Sequence, residues 1–245
     1  MAIPQPARKL DYYSPPPGGP RFGQLRLWTV TTWLIVINVA VFVIDRLTQG
    51  MMLELGAFSY SAAIRHLQLW RLITFQFLHG GLLHIFFNML SLYYFGPVVE
   101  TRLGSKRFLA FYLICGISGA GMFLILWRLN FVAADFQTQM IGASAGVFGV
   151  LVATVRFAPY MFVRLIFPPV VLRVSTVAWG FIAVAVAVIV IRGANAGGEA
   201  AHLGGAFVGW LLASNHRWLN VFDREKRGKR FWQPGDPAEN FFRKE

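Results

Sequence analysis

The sequence predicts an all-α integral membrane protein, a bundle built from six transmembrane helices. Three observations predict the bundle. Of the 245 residues, 56% are hydrophobic and only 14% are charged, well below the roughly 25% usual for soluble domains. Six apolar runs each approach the roughly 20 residues that a helix needs to cross about 30 Å of hydrocarbon. The basic residues are distributed unevenly between the segments that separate those runs.

The runs lie at 27–47, 78–99, 108–127, 140–158, 170–191 and 200–215. The first, "LWTVTTWLIVINVAVFVIDRL", is almost uninterrupted. The second carries His84 and Asn88, the fourth Ser144, and the sixth His202. Pro168 and Pro169 introduce the fifth. Residues 48–77 mix Leu, Phe and Trp with few charges, as outer-loop helices lying in the interface would. There is no internal repeat and no separate soluble domain. The chain divides into an N-terminal tail over 1–25, a six-span domain over 26–216, and a basic C-terminal tail over 217–245.

Six spans put both termini on one side. With the tails inside, all but five of the 23 Lys and Arg residues fall in inner segments, as the positive-inside rule requires. The net charge of +12 is then a topology signal, not a nucleic-acid footprint. The single cysteine, Cys115, excludes an internal disulfide and a cysteine-based metal cluster. No cofactor or metal is expected. The first 25 residues show neither a signal-peptide nor a transit-peptide pattern, and the expected location is a bacterial plasma membrane with cytoplasmic termini.

Polar side chains inside lipid are expensive and mark function by default. A serine in a Gly/Ala-rich span ordinarily just packs, and a lone membrane histidine ordinarily packs or relays protons. Here they coincide. Spans two, four and six all run inward, and their polar residues all fall in the outer half. His84 and Asn88 lie about 9–15 Å below the start of span two at 1.5 Å per residue. They share one helix face. Ser144 sits in "GASAG" and His202 in "EAAHLGGAFVGW", each a few residues into its span.

A serine becomes a nucleophile beside a base, and neutral histidine is the usual one. His202 is the candidate. Asn88, His84 and the Ser144 backbone N–H are candidate donors to an oxyanion. Gly142 and Gly146 flank the serine. Gly205 and Gly209 form a small-residue face that lets spans four and six approach. Ser118, in "GISG", is a rival serine, but it lies mid-span without a histidine at its level and reads as packing. A soluble hydrolase nucleophile would follow a buried strand, whereas Ser144 lies in an apolar helical segment. Glu199 is able to orient His202, but its loop position suggests a solvated charge, and a Ser-His dyad is the expectation. A transporter with a His/Asn pathway would spread polar groups through the whole membrane depth, which this chain does not.

In order and spacing these residues resemble the rhomboid family of intramembrane serine proteases, over about 27–215. The matching pieces are Trp70–Arg71 in the first outer loop, then His79, His84 and Asn88 in H-x4-H-x3-N. Gly96 and Glu100 follow, before "RLGSKRF"; then comes the serine, and last Ala201, His202, Gly205 and Gly209. The resemblance implies Ser144 as nucleophile, His202 as base, and His84 and Asn88 at the oxyanion hole. It also implies structural parts for His79, Trp70 and Arg71, and a stacking part for Phe148. Its substrate would be a membrane protein cut within or beside its transmembrane helix, and its setting the lipid bilayer. Span five and "RGANAGGE" would move as gate and cap. The family usually has glycine after the serine, where this chain has Ala145. A non-catalytic, helix-binding relative is the alternative reading. Such proteins typically lose the serine or histidine, and both are present here.

Overall fold

The computed structural model describes residues 29–165 and 169–222. The expected N-terminal tail, Pro168 and residues 223–245 of the expected C-terminal tail lie outside the described residues. Six long helices form the bundle: α1 (Val30–Leu47), α4 (Leu82–Leu103), α5 (Ser105–Arg128), α6 (Ser144–Phe157), α7 (Val174–Val190) and α8 (Ala196–Ser214). Between α1 and α4 come two short helices, α2 (Met51–Gly56) and α3 (Arg71–Thr74), a π-helical turn at Tyr60–Arg65 and a 3-10 turn at Phe75–Phe77. The chain is an integral membrane protein.

Helix α1 shows the solvent this fold is built for. Its buried positions are Thr31, Leu34, Asn38, Phe42 and Asp45, three of them polar or charged. Its exposed positions include Trp33, Val36, Ile37, Val39, Val43 and Ile44. A helix in water inverts that pattern. In lipid, apolar surface costs nothing outward and polar groups turn in toward partners. The buried Glu100 carboxylate accepts bonds from the N–H groups of Val30 and Thr31, at 2.9 Å each, and from the hydroxyls of Thr31 and Ser105, at 2.7 Å each. One side chain thus caps the start of α1 and ties it to the α4–α5 turn.

Three of the helices, α1, α4 and α5, are long and apolar enough to cross a membrane by length and composition. The expected fourth span, 140–158, loses its first four residues. Helix α6 begins at Ser144 and has 14 residues, or about 21 Å. The reason is local: Gly142 has φ +126°, which ends any upstream helical path. The residues before it pair instead, Phe58 with Met140, and Gly142 N–H donates to the Phe75 carbonyl at 2.9 Å. Irregular backbone at this level is tolerated because protein satisfies it.

The connection from α6 to α7 contains a two-stranded antiparallel hairpin, β1 (Phe162–Arg164) with β2 (Val171–Arg173), register Val163 to Leu172. Helix α8 packs along both α5 and α6, and α6 is the helix that touches α4, α5, α7 and α8 alike. Its start differs from the expected gate-and-cap loop. "AGGE" is the first turn of α8, leaving Ile191–Asn195 as the connector. Gly197 is held there against Phe123 and Val132. Residues His216–Phe222 form a 3-10 segment that buries Leu219 and accepts Arg107 Nη1 on Asn220 Oδ1 at 3.0 Å.

Candidate active site

Ser144 is the first residue of α6, preceded by Ala143 at the cap. Its backbone N–H, with those of Ala145 and Gly146, precedes the first bond of the helix, Val147 N–H to the Ala143 carbonyl at 3.0 Å. Such first-turn donors have no intrahelical acceptor and carry the positive end of the helix dipole. Ser144 Oγ lies 2.8 Å from His202 Nε2. The Phe148 ring, one turn further along α6, stacks on the imidazole with centroids 4.3 Å apart and planes 9° from parallel.

Glycines set the closeness of these helices. A Cβ on Gly205 would fall on the Ala145 backbone, and one on Gly209 would lie 2.5 Å from the Gly149 Cα. Ala145 itself is buried, its methyl against Gly119 of α5. The Ala145 methyl therefore has a place beside α5 and α8. Gly146 lies against the Tyr112 ring.

His84 and Asn88 come from α4. A methyl group on Gly142 would sit 2.7 Å from His84 Nε2 and 3.6 Å from Ser144 Oγ. The imidazole and the serine hydroxyl thus border one small cleft that Gly142 keeps open. The Asn88 amide donates to the His84 carbonyl at 2.9 Å. Its second N–H has no partner among the described residues. The His79 ring is buried and meets His84 edge-on at 4.9 Å, while its carbonyl accepts from Arg46 Nη2 at 3.3 Å.

Trp70 and Arg71 lie away from the serine. Arg71 is buried and donates to the carbonyls of Ala57 and Glu54 and to Gln68 Oε1, at 2.7, 2.9 and 2.6 Å. Trp70 Nε1 donates to the Leu55 carbonyl at 3.2 Å. Together they fasten α2 to α3. The rival Ser118 faces the carbonyls of Cys115 and Gly204, at 2.7 and 3.1 Å. These are the contacts of a packing hydroxyl.

One expectation is overturned. Glu199 is not a solvated loop charge: it lies in the first turn of α8, three residues before His202, with its side chain 15% exposed. Its Oε2 is 2.8 Å from His202 Nδ1. The Asn195 amide donates to its Oε1 at 3.2 Å. Sequence reasoning weighed Glu199 as an orienter of His202 but set it aside, because two glycines at 197 and 198 disguise the helix start. The i, i+3 spacing on one face was the available signal. No group of His, Cys, Asp and Glu among the described residues is arranged to hold a metal ion.

The bundle of unequal apolar helices thus brings Ser144 and His202 together at a helix start among them. The profile of the rhomboid domain matches residues 66–216, and the chain belongs to the rhomboid family. It is 28% identical over 200 residues to the rhomboid protease AarA of Providencia stuartii, covering 75% of this chain and 71% of that protein. It is 30% identical over 186 residues to the rhomboid protease GlpG of Yersinia pestis (strain Pestoides F), covering 75% and 61%. It is 27% identical over 128 residues to rhomboid-like protease 3 of Toxoplasma gondii, covering 49% and 44%. The chain thus spans less than two thirds of the latter two relatives.

Proposed function

We propose that this protein is an intramembrane serine endopeptidase that cleaves transmembrane segments of other membrane proteins, with Ser144 as nucleophile and His202 as general base. The observation that carries the reading is the 2.8 Å contact from Ser144 Oγ to His202 Nε2 at the start of a helix. His202 Nε2 takes the serine proton as Oγ attacks a substrate carbonyl. The resulting oxyanion faces the first-turn N–H groups of α6, with the His84 ring and the Asn88 amide supplying further donors. His202 returns the proton to the departing amine, and water then hydrolyses the acyl-enzyme by the same base. Phe148 keeps the imidazole from rotating out of line. No cofactor enters the reaction.

A helical substrate hides its peptide bonds in its own hydrogen bonds. Small or helix-breaking residues near the outer end of its span are the expected cleavage sites. The protein sits in a bacterial plasma membrane with both termini cytoplasmic, and the site opens to the outer face, whence water arrives.

The test is labelling of the detergent-purified chain with a fluorophosphonate. Wild type and Ser118→Ala label; Ser144→Ala and His202→Ala do not. A folded wild type that fails to label at Ser144 sinks the protease reading, and binding of transmembrane helices without cleavage becomes the activity to measure.

A further inference from the structure

The serine and histidine are not the end of the hydrogen-bonded chain. Its members run Asn195 Nδ2 to Glu199 Oε1, Glu199 Oε2 to His202 Nδ1, and His202 Nε2 to Ser144 Oγ, at 3.2, 2.8 and 2.8 Å. The first three groups come from one short stretch. Asn195 is the residue at the N-cap of α8, Glu199 lies in its first turn, and His202 lies one turn on. Gly198 is what lets the chain close. A Cβ there would sit 2.5 Å from Asn195 Oδ1 and 2.9 Å from its Nδ2, so any larger residue would displace the asparagine from the glutamate.

We infer that Glu199 is a positioning residue for His202, oriented in turn by Asn195, so that the catalytic pair works as part of a four-member chain. The inference rests on the reading of Ser144 and His202 as nucleophile and base. The tautomer argument carries it. A carboxylate only accepts, so the proton of a neutral His202 is held on Nδ1. Nε2 then presents its lone pair to the serine hydroxyl, as a base must. When Nε2 gains the serine proton, the carboxylate at 2.8 Å faces an imidazolium and stabilises it. Glu199 touches neither substrate nor serine; it acts through the ring.

Asn195 makes the consequence asymmetric. In Glu199→Gln, the asparagine N–H claims the new amide's carbonyl oxygen. With Asn195 donating as it does here, the glutamine NH2 is left facing Nδ1, which must become an acceptor. The His202 proton moves to Nε2 and points at the serine, the wrong tautomer for a base. Removing Asn195 frees the glutamine to turn over and present its oxygen to Nδ1. Asn195→Ala therefore rescues Glu199→Gln, although alone it slows the enzyme slightly. Bulk, packing or folding roles for either residue predict no such reversal of sign.

The experiment follows fluorophosphonate labelling of the full chain in detergent as a function of probe concentration. In that reaction the Ser144 Oγ–P bond forms as P–F breaks, fluoride leaves, and the serine proton passes to His202. Saturation kinetics separate the maximal labelling rate from the half-saturating probe concentration. Size-exclusion elution and melting temperature report folding. Glu199→Gln is expected to lower the maximal rate on the order of 10⁴-fold, the size of the wrong-tautomer effect, with half-saturation little changed. Asn195→Ala is expected to cost only about two- to tenfold, the net worth of an ordinary hydrogen bond, since the contact is long and exposed. The double variant is expected to label faster than Glu199→Gln alone, because the tautomer is corrected although the charge is not. Two results overturn the inference: a maximal rate for Glu199→Gln within about threefold of wild type, the scatter of ordinary context effects, or a double variant no faster than Glu199→Gln. If Glu199→Gln does not fold, Glu199→Asp carries the test, keeping the charge but shortening its reach; a wild-type maximal rate there overturns the inference equally. Failure of wild type to label is a separate result, and it removes the protease reading itself.

Discussion

Gly142 bears two constraints at once. Its φ of +126° belongs to backbone that side-chain-bearing residues rarely adopt, and the space beside its Cα lies against the His84 imidazole. Gly142→Ala is therefore expected to lose about 1–3 kcal/mol of stability through strain and to push His84 off the cleft. Fluorophosphonate labelling should fall at least about tenfold, since one misplaced donor in an oxyanion site costs more than that. A variant that labels at the wild-type rate would separate His84 from the chemistry. At this scale the sequence was most readable for residues whose type is costly in lipid. Ser144, His202, His84 and Asn88 declared themselves by being polar where polarity is expensive. Phe148 was readable only through the family resemblance, which implies an aromatic one turn after the serine. Glu199 was not, because a charge beside two glycines looks like any exposed loop; only the observed start of α8 at Ala196 puts it on the face of His202.

Among the elements, α6 and α8 decide the site, and they meet through backbone. Gly205 lies on Ala145 and Gly209 on Gly149, so any side chain at these positions must drive the two helices apart. Gly209→Val is expected to destabilise by about 1–3 kcal/mol, the cost of overpacking. A displacement of about 1 Å between Ser144 and His202 would cut labelling on the order of 100-fold. Gly180 of α7 is the control, because a Cβ there meets nothing within 4 Å. Gly180→Ala should leave labelling and melting temperature at or slightly above wild type, and a comparable loss there would remove close packing as the explanation. The small-residue spacing in span six was legible. The length of α6 was not: hydropathy continues smoothly through "MIGASAG", while the chain breaks at Gly142. The hairpin of β1 and β2 was equally hidden, since three-residue strands are too short to show an alternating pattern.

For the molecule as a whole, the positive-inside asymmetry makes a topology that a thiol reporter reads directly. Cys115 is fully buried, so the natural chain offers little background. Thr48 and Tyr160 are exposed, after α1 and after α6 respectively. In intact cells, a membrane-impermeant maleimide is expected to modify Thr48→Cys and to spare Tyr160→Cys until the cells are permeabilised. The reverse pattern would invert the orientation and put the serine's cleft on the cytoplasmic face. Composition made the membrane class plain from the first, because a 14% charged chain cannot cover a water-facing surface in the ordinary way. Composition alone does not say which side chains turn inward. In α1 the buried Asn38 and Asp45 had no partner in the sequence to reveal them. Asp45 finds the Leu53 N–H at 2.9 Å only once the outer loop has folded back.

The shortness of α6 reaches past the active site. At about 21 Å, it falls short of hydrocarbon about 30 Å thick, yet of its residues only Arg156 is exposed, because α4, α5, α7 and α8 pack around it. The missing length is therefore a shaft walled by protein rather than by lipid. Water can stand in that shaft above the serine without meeting the acyl chains, the setting in which irregular or polar groups are tolerated at membrane depth.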